Sequence, residues 1–138
     1  LYPMKALASL GLFALAGCGM IGAKPLSPVR DFQYGAISHD PFWLVAIGDD
    51  RIVLTMGPPG GRADGELNSI EYPRTLPRDL NGVRRWESGS GTQVIAIEAR
   101  RGPCTTGGRI YADKTKVFLS GRSMSGCGGR ELGTARTG

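Results

Sequence analysis

Residues 42–56 read FWLVAIGDDRIVLTM, two apolar runs of strand length parted by Gly48-Asp49-Asp50. In the second run Ile52, Leu54 and Met56 share one face while Arg51 and Thr55 share the other, the alternation of a half-buried strand. The first run, Phe42 to Ile47, is apolar on both faces, so it is expected to lie centrally or to be covered on its second side by a sheet or loop. Glycine and aspartate are turn formers, so the pair reads as a hairpin.

The same signal recurs outward in both directions. Asn68 to Tyr72, Thr92 to Glu98 and Thr115 to Ser120 are β-branched or aromatic runs, with Phe32 to Tyr34 and Val83 to Glu87 as further candidates. Gly57 to Gly61, Ser88 to Gly91 and Gly121-Arg122 separate them as turns. A short helical turn is the expectation for Thr75 to Leu80. The fold class is therefore all-β: a small antiparallel β-barrel or sandwich of about six to eight strands joined as a meander. The chain has 138 residues, 41% of them hydrophobic and 21% charged, which suits one domain over residues 31–138. Its 22 glycines and 9 prolines fit many tight turns, without the period of a collagen or a repeat.

The N-terminal end is organised differently. Lys5 precedes an apolar run, Ala6 to Ala16, and then a small residue, Gly17, comes before Cys18. That is the order of a secretory signal, about a dozen apolar residues being too few to span a hydrocarbon core roughly 30 Å thick. Leu15-Ala16-Gly17-Cys18 resembles the bacterial lipobox, which implies a diacylglycerol thioether on Cys18 and cleavage just before it. Residues 1–17 are then a lipoprotein signal peptide. Residues 18–30, lacking a period and carrying two prolines, are the lipidated cysteine and a flexible tether. A buried thiol at Cys18 would leave the charge and the small residues unexplained. Two or three acyl chains, at about 0.8 kcal/mol per buried CH₂, hold a protein firmly on a membrane. Gly19 rather than aspartate after the cysteine implies, by the sorting rule of two-membrane bacteria, the periplasmic side of the outer membrane rather than the inner membrane.

With Cys18 assigned to lipid, Cys104 and Cys127 remain in an oxidising compartment, where a pair is expected to form a disulfide. No CxxC spacing exists, and His39 is the sole histidine. No metal or cofactor is expected.

His39-Asp40-Pro41-Phe42-Trp43, with Cys104, Tyr111 and Gly126-Cys127-Gly128-Gly129, resembles an uncharacterised family of bacterial lipoproteins and exported proteins. Its members carry an early Glu-Pro-Phe-Trp segment and a two-cysteine C-terminal half, sometimes beside a META-type domain. The resemblance covers roughly Asp31 to Gly129 and implies export, a β fold and a disulfide, with no activity attached. Asp40 stands where the family has glutamate, and Thr105-Thr106-Gly107 follows Cys104 where an Asp-Gly-Met-Ser-like run is common.

Asp40, Phe42, Trp43 and Trp86 form the candidate ligand site. Phe42 and Trp43 point to opposite faces of a strand. Either one is core and the other lies under a loop, or Trp43 with Trp86 or Tyr34 makes a stacking platform for a sugar or peptide. His39 lacks a nucleophile at recognisable spacing, and Asp49-Asp50 reads as a turn rather than a carboxylate pair. Arg74, Arg78, Arg84, Arg85, Arg100, Arg101 and Arg109 make the middle of the chain basic. Removing residues 1–17 takes one lysine, so the net charge falls from +5 to +4. Near an anionic lipid surface such a patch attracts; nucleic acid is not expected, since no recognition motif is present. The expectation is a non-enzymatic envelope lipoprotein binding an envelope polysaccharide or protein. The alternative is an inhibitor of a cell-wall hydrolase, although animal C-type lysozymes are basic and Asp49-Asp50 is the sole acidic loop on offer.

Overall fold

The computed structural model describes residues 28–57 and 67–135. Among these residues every regular element is a strand: β1 (Tyr34–His39), β2 (Phe42–Ile47), β3 (Arg51–Met56), β4 (Asn68–Pro73), β5 (Arg78–Leu80), β6 (Val83–Ser90), β7 (Gln93–Thr106), β8 (Arg109–Leu119) and β9 (Arg122–Thr134). The all-β antiparallel class and the meander connections hold. The strand count is nine, above the six to eight expected, in one sheet ordered β4-β3-β2-β1-β9-β8-β7-β6-β5.

Two meanders, β1–β4 and β5–β9, meet where β9 pairs with β1. The sheet curls so that β4 comes against β6, and Ser88 Oγ donates to the Pro73 carbonyl at 2.5 Å. The ladder stays open between β4 and β5, so the barrel is not closed. Thr75 to Leu80 holds no helical turn. Its last three residues form β5, exposed along its whole length, which is why neither hydrophobic periodicity nor β-branching marked it.

Alternation sorts the side chains. Trp43, Val45 and Ile47 of β2 and Ile52 and Leu54 of β3 point into the curl, where they meet Tyr72, Trp86, Ile95, Ile97 and Val117. β2 is flanked on both sides by strands, as its composition suggested. Among the described residues no second sheet covers its other face, Phe42, Leu44 and Ala46; Leu44 is 40% exposed.

β9 has the least strand-like sequence of the nine, RSMSGCGGRELGT, and its glycines explain why. A Cβ on Gly126 would lie 2.6 Å from Trp43 Cζ2 and 2.6 Å from the Ile37 carbonyl oxygen. One on Gly128 would lie 2.5 Å from the Tyr34 hydroxyl and from Thr115 Oγ1. Glycine is costly in a strand but is the residue that allows such close approach. Cys127, between them, faces outward by the same alternation.

Cys104 and Cys127 are disulfide-bonded, their Cα atoms 5.4 Å apart. The bond ties β7 to β9, the two neighbours of β8, where the β7–β8 register shifts between Arg101 and Cys104 and the β8–β9 register shifts beside Tyr111. The signal-peptide reading of residues 1–17 and the lipid on Cys18 lie outside the described residues. At the end of the expected tether, Arg30 is already docked: Asp49 N–H donates to its carbonyl at 2.7 Å, and Val29 packs on Gly48.

Replacing both bonded cysteines, Cys104→Ser with Cys127→Ser, is expected to cost about 3 kcal/mol for a sequence separation of 23 residues. Urea unfolding of the oxidised protein and the double variant measures it, and a difference under about 1 kcal/mol would show that the bond does not staple this sheet.

Candidate functional site

The β1–β2 hairpin turns through Asp40 and Pro41, both exposed. Beyond it the strand alternation separates the four residues of the expected ligand platform. Phe42 lies on the outer face, its ring edge-on to His39 with centroids 6.4 Å apart. Trp43 and Trp86 are core residues, 1% and 2% exposed. Of the two open readings the indoles follow burial, and the structure does not bring Asp40, Phe42, Trp43 and Trp86 to one surface. The reason is the hydrophobic effect, since two indoles are the largest apolar groups available to a small core. Their Nε1 atoms are buried and find no acceptor among the described residues.

His39 sits at the rim. Its backbone N–H donates to Thr106 Oγ1 at 3.1 Å and its Nδ1 lies 3.3 Å from the same oxygen, which joins the β1–β2 hairpin to the end of β7. Among the described residues no hydrogen-bonded carboxylate orients the other ring nitrogen. Asp49 and Asp50 form a turn, as the sequence indicated. Arg74 reaches Asp49 at 3.6 Å, while Arg51 and the Arg30 N–H hold Asp50 at 2.5 and 2.9 Å. The Arg30 hydrogen bond is the leading reason that Asp50 is held below the usual carboxylate range.

A polar cluster that the sequence reading did not single out lies across the β1–β9–β8 seam. Tyr34 stacks on Trp86 with centroids 4.9 Å apart, and its hydroxyl passes over Gly128 to donate to Asp113 Oδ2 at 2.8 Å. Thr115 Oγ1 is 3.4 Å from the same hydroxyl. Burial pushes the Tyr34 phenol well above its ordinary value of 10.0; the Thr115 hydrogen bond opposes that, and Asp113 adds to it. The phenol therefore stays protonated at neutral pH and donates to Asp113. Asp113 shares its strand face with Thr115 and Val117, so an acid on an otherwise buried face was the signal available in the sequence. Among the described residues no cluster of three histidine, cysteine or acidic side chains could hold a metal ion.

Five of the seven mid-chain arginines belong to ion pairs: Arg74 with Asp49, Arg78 with Glu87, Arg84 with Asp79, Arg85 with both Glu87 and Glu98, and Arg109 with Glu131. Much of the basic stretch is thus a surface ladder of paired charges, each exposed pair contributing little stability.

Comparison with family models, with curated proteins and with solved structures finds no match to this chain. The geometry leaves the Tyr34–Asp113–Thr115 cluster satisfied within itself and the outer strands lined by charged side chains.

Tyr34 and Tyr72 are both raised above 10.0 by burial. Above pH 10 the unfolded chain sheds these protons while the folded one retains them, so stability is full below that pH and falls as pH rises beyond it. Tyr34→Phe is expected to lose about 1–2 kcal/mol at neutral pH, with Asp113 left without its donor, and to show a shallower alkaline decline. Urea midpoints across neutral and alkaline pH read both effects; a decline as steep as that of the unaltered protein would remove Tyr34 from the account.

Proposed function

We propose that the protein is a bacterial envelope lipoprotein. It is acylated on Cys18, cleaved before that residue, and held on the periplasmic side of the outer membrane by its lipid. Its sheet domain binds an envelope component, a polysaccharide or a protein, and does not turn over a substrate.

The observation that carries the reading is the Cys104–Cys127 disulfide. A bonded pair is typical of exported chains, and with two of the three cysteines bonded to each other, Cys18 is the thiol left over, in the Leu-Ala-Gly-Cys setting that lipid attachment uses. Binding without turnover is favoured because the acid and the indoles nearest the seam are committed to the fold. Asp113 is held by Tyr34, and both tryptophans are core. Asp49 and Asp50 are engaged by the domain's own arginines, which favours this reading over inhibition of a basic cell-wall hydrolase.

Cells expressing the chain and fed radioactive palmitate are expected to yield a labelled protein that partitions with outer-membrane fractions. Cys18→Ser should abolish the label and leave the precursor uncut. Label that persists in the variant would contradict the assignment.

A further inference from the structure

Three of the cations that lie outside the paired ladder gather on one face. Arg100 on β7 and Lys114 and Lys116 on β8 are exposed and make no ion pair with any described residue. Register places Arg100 directly opposite Lys114, and Lys116 opposite Glu98, whose carboxylate is already taken by Arg85. With Glu98, Thr105 and Ser125, they line a concavity of about 530 Å³ beside the disulfide. Like charges directly opposed on neighbouring strands destabilise a sheet. Among the described residues no ion pair neutralises Arg100 or Lys114, the Glu98 carboxylate beside them being engaged by Arg85, and an anion in the concavity would.

The register carries the same row further. Lys114 faces Cys127, Cys127 faces Ile37, and Ile37 faces Leu44, so a line drawn across β7, β8, β9, β1 and β2 passes from two cations over the disulfide to two aliphatic side chains. At the apolar end Leu44 is 40% and Phe32 64% exposed. Phe32, Ile37, Leu44, Tyr111 and Arg130 border a second groove of about 600 Å³. An anionic sugar polymer would satisfy the cations and leave the aliphatic end bare. A bilayer surface satisfies both, with phosphates for the cations and the headgroup–acyl boundary for leucine and phenylalanine.

We propose that this outer face, Arg100, Lys114 and Lys116 flanked by Ile37, Leu44 and Phe32, docks the domain on an anionic phospholipid surface. The inference deepens the proposed function, resting on its membrane tether for proximity, and names the second contact that lays the domain flat against the bilayer.

The test uses the mature chain, residues 18–138 carrying Cys18→Ser, so that neither the apolar leader nor an acyl group contributes. Flotation with phosphatidylcholine vesicles, alone or mixed with phosphatidylglycerol, is compared at low and high salt. Preference for the anionic vesicles is expected, weakening as salt rises. Arg100→Gln, Lys114→Gln and Lys116→Gln together should weaken anionic binding roughly a hundredfold, about a factor of five for each cation, with the circular dichroism of the sheet unchanged. Leu44→Ser should weaken binding and leave the anionic preference in place. Equal binding to both vesicle types, a triple variant that keeps its preference, or capture of soluble anionic polysaccharide in place of vesicles would each overturn the proposal. Failure here leaves palmitate labelling of Cys18 untouched, and an unlabelled Cys18 leaves the vesicle result standing, so the two readings fall separately.

Discussion

The fold depends on the contact between the Trp43 indole and Gly126. Two meanders have to be joined into one sheet, and the strand pair that joins them, β1 with β9, has two registered residue pairs, Ala36 with Gly128 and Ile37 with Cys127. So short a ladder holds only if the side chains across it pack closely. Trp43 from β2 and Tyr34 from β1 both lie over β9, and each needs a glycine beneath it. Strand alternation then explains the spacing Gly126-Cys127-Gly128: both glycines face the indole and the phenol, and the cysteine between them faces outward to reach Cys104. One short segment thus receives the core from inside and the covalent bond from outside.

This dependence accounts for which parts of the fold the sequence disclosed. β2 and β3 were legible to the residue, because Phe42 to Ile47 and Arg51 to Met56 carry apolar alternation and a turn between them. β7 was legible only to Glu98. Its continuation through Arg100, Arg101 and Pro103 is masked by charge and by a proline at the register shift. β9 was not legible at all, since the glycines its packing demands erase the propensity by which strands are recognised. The burial of Trp43 was one of two open readings, and one residue's pattern does not say which face of β2 meets the core. Asp113 showed itself only as an acid in phase with Thr115 and Val117, a signal that acquires meaning once Tyr34 is known to lie across the seam.

Electrostatics followed the same division. The sequence showed a basic middle stretch of arginines, and the fold pairs most of them while bringing Arg100 beside Lys114 and Lys116, which lie beyond that stretch. Arg78, Arg84 and Arg85 neutralise Glu87, Asp79 and Glu98 along β5, β6 and β7. Arg100, Lys114 and Lys116 gather on the far side of Glu98, next to the disulfide, where register rather than sequence distance makes them neighbours. The interior carries its own polar investment in the Tyr34–Asp113 hydrogen bond, which spans β9 and helps the same seam. Structure and surface chemistry therefore meet on one strand: the inner face of β9 closes the sheet, and its outer face separates the basic concavity from the apolar groove.

The most direct test of this account is a double-mutant cycle between Trp43→Phe and Gly126→Ala, read as urea-unfolding free energies of the oxidised protein. Phenylalanine lacks the Cζ2 and Cη2 atoms that a Cβ on Gly126 would meet at 2.6 and 2.9 Å. The account predicts that Gly126→Ala costs about 1–3 kcal/mol beside tryptophan and at least about 1 kcal/mol less beside phenylalanine, the residual cost belonging to the Ile37 carbonyl. Costs that add, with alanine equally damaging beside either ring, would show that the seam is not held by the indole on the glycine.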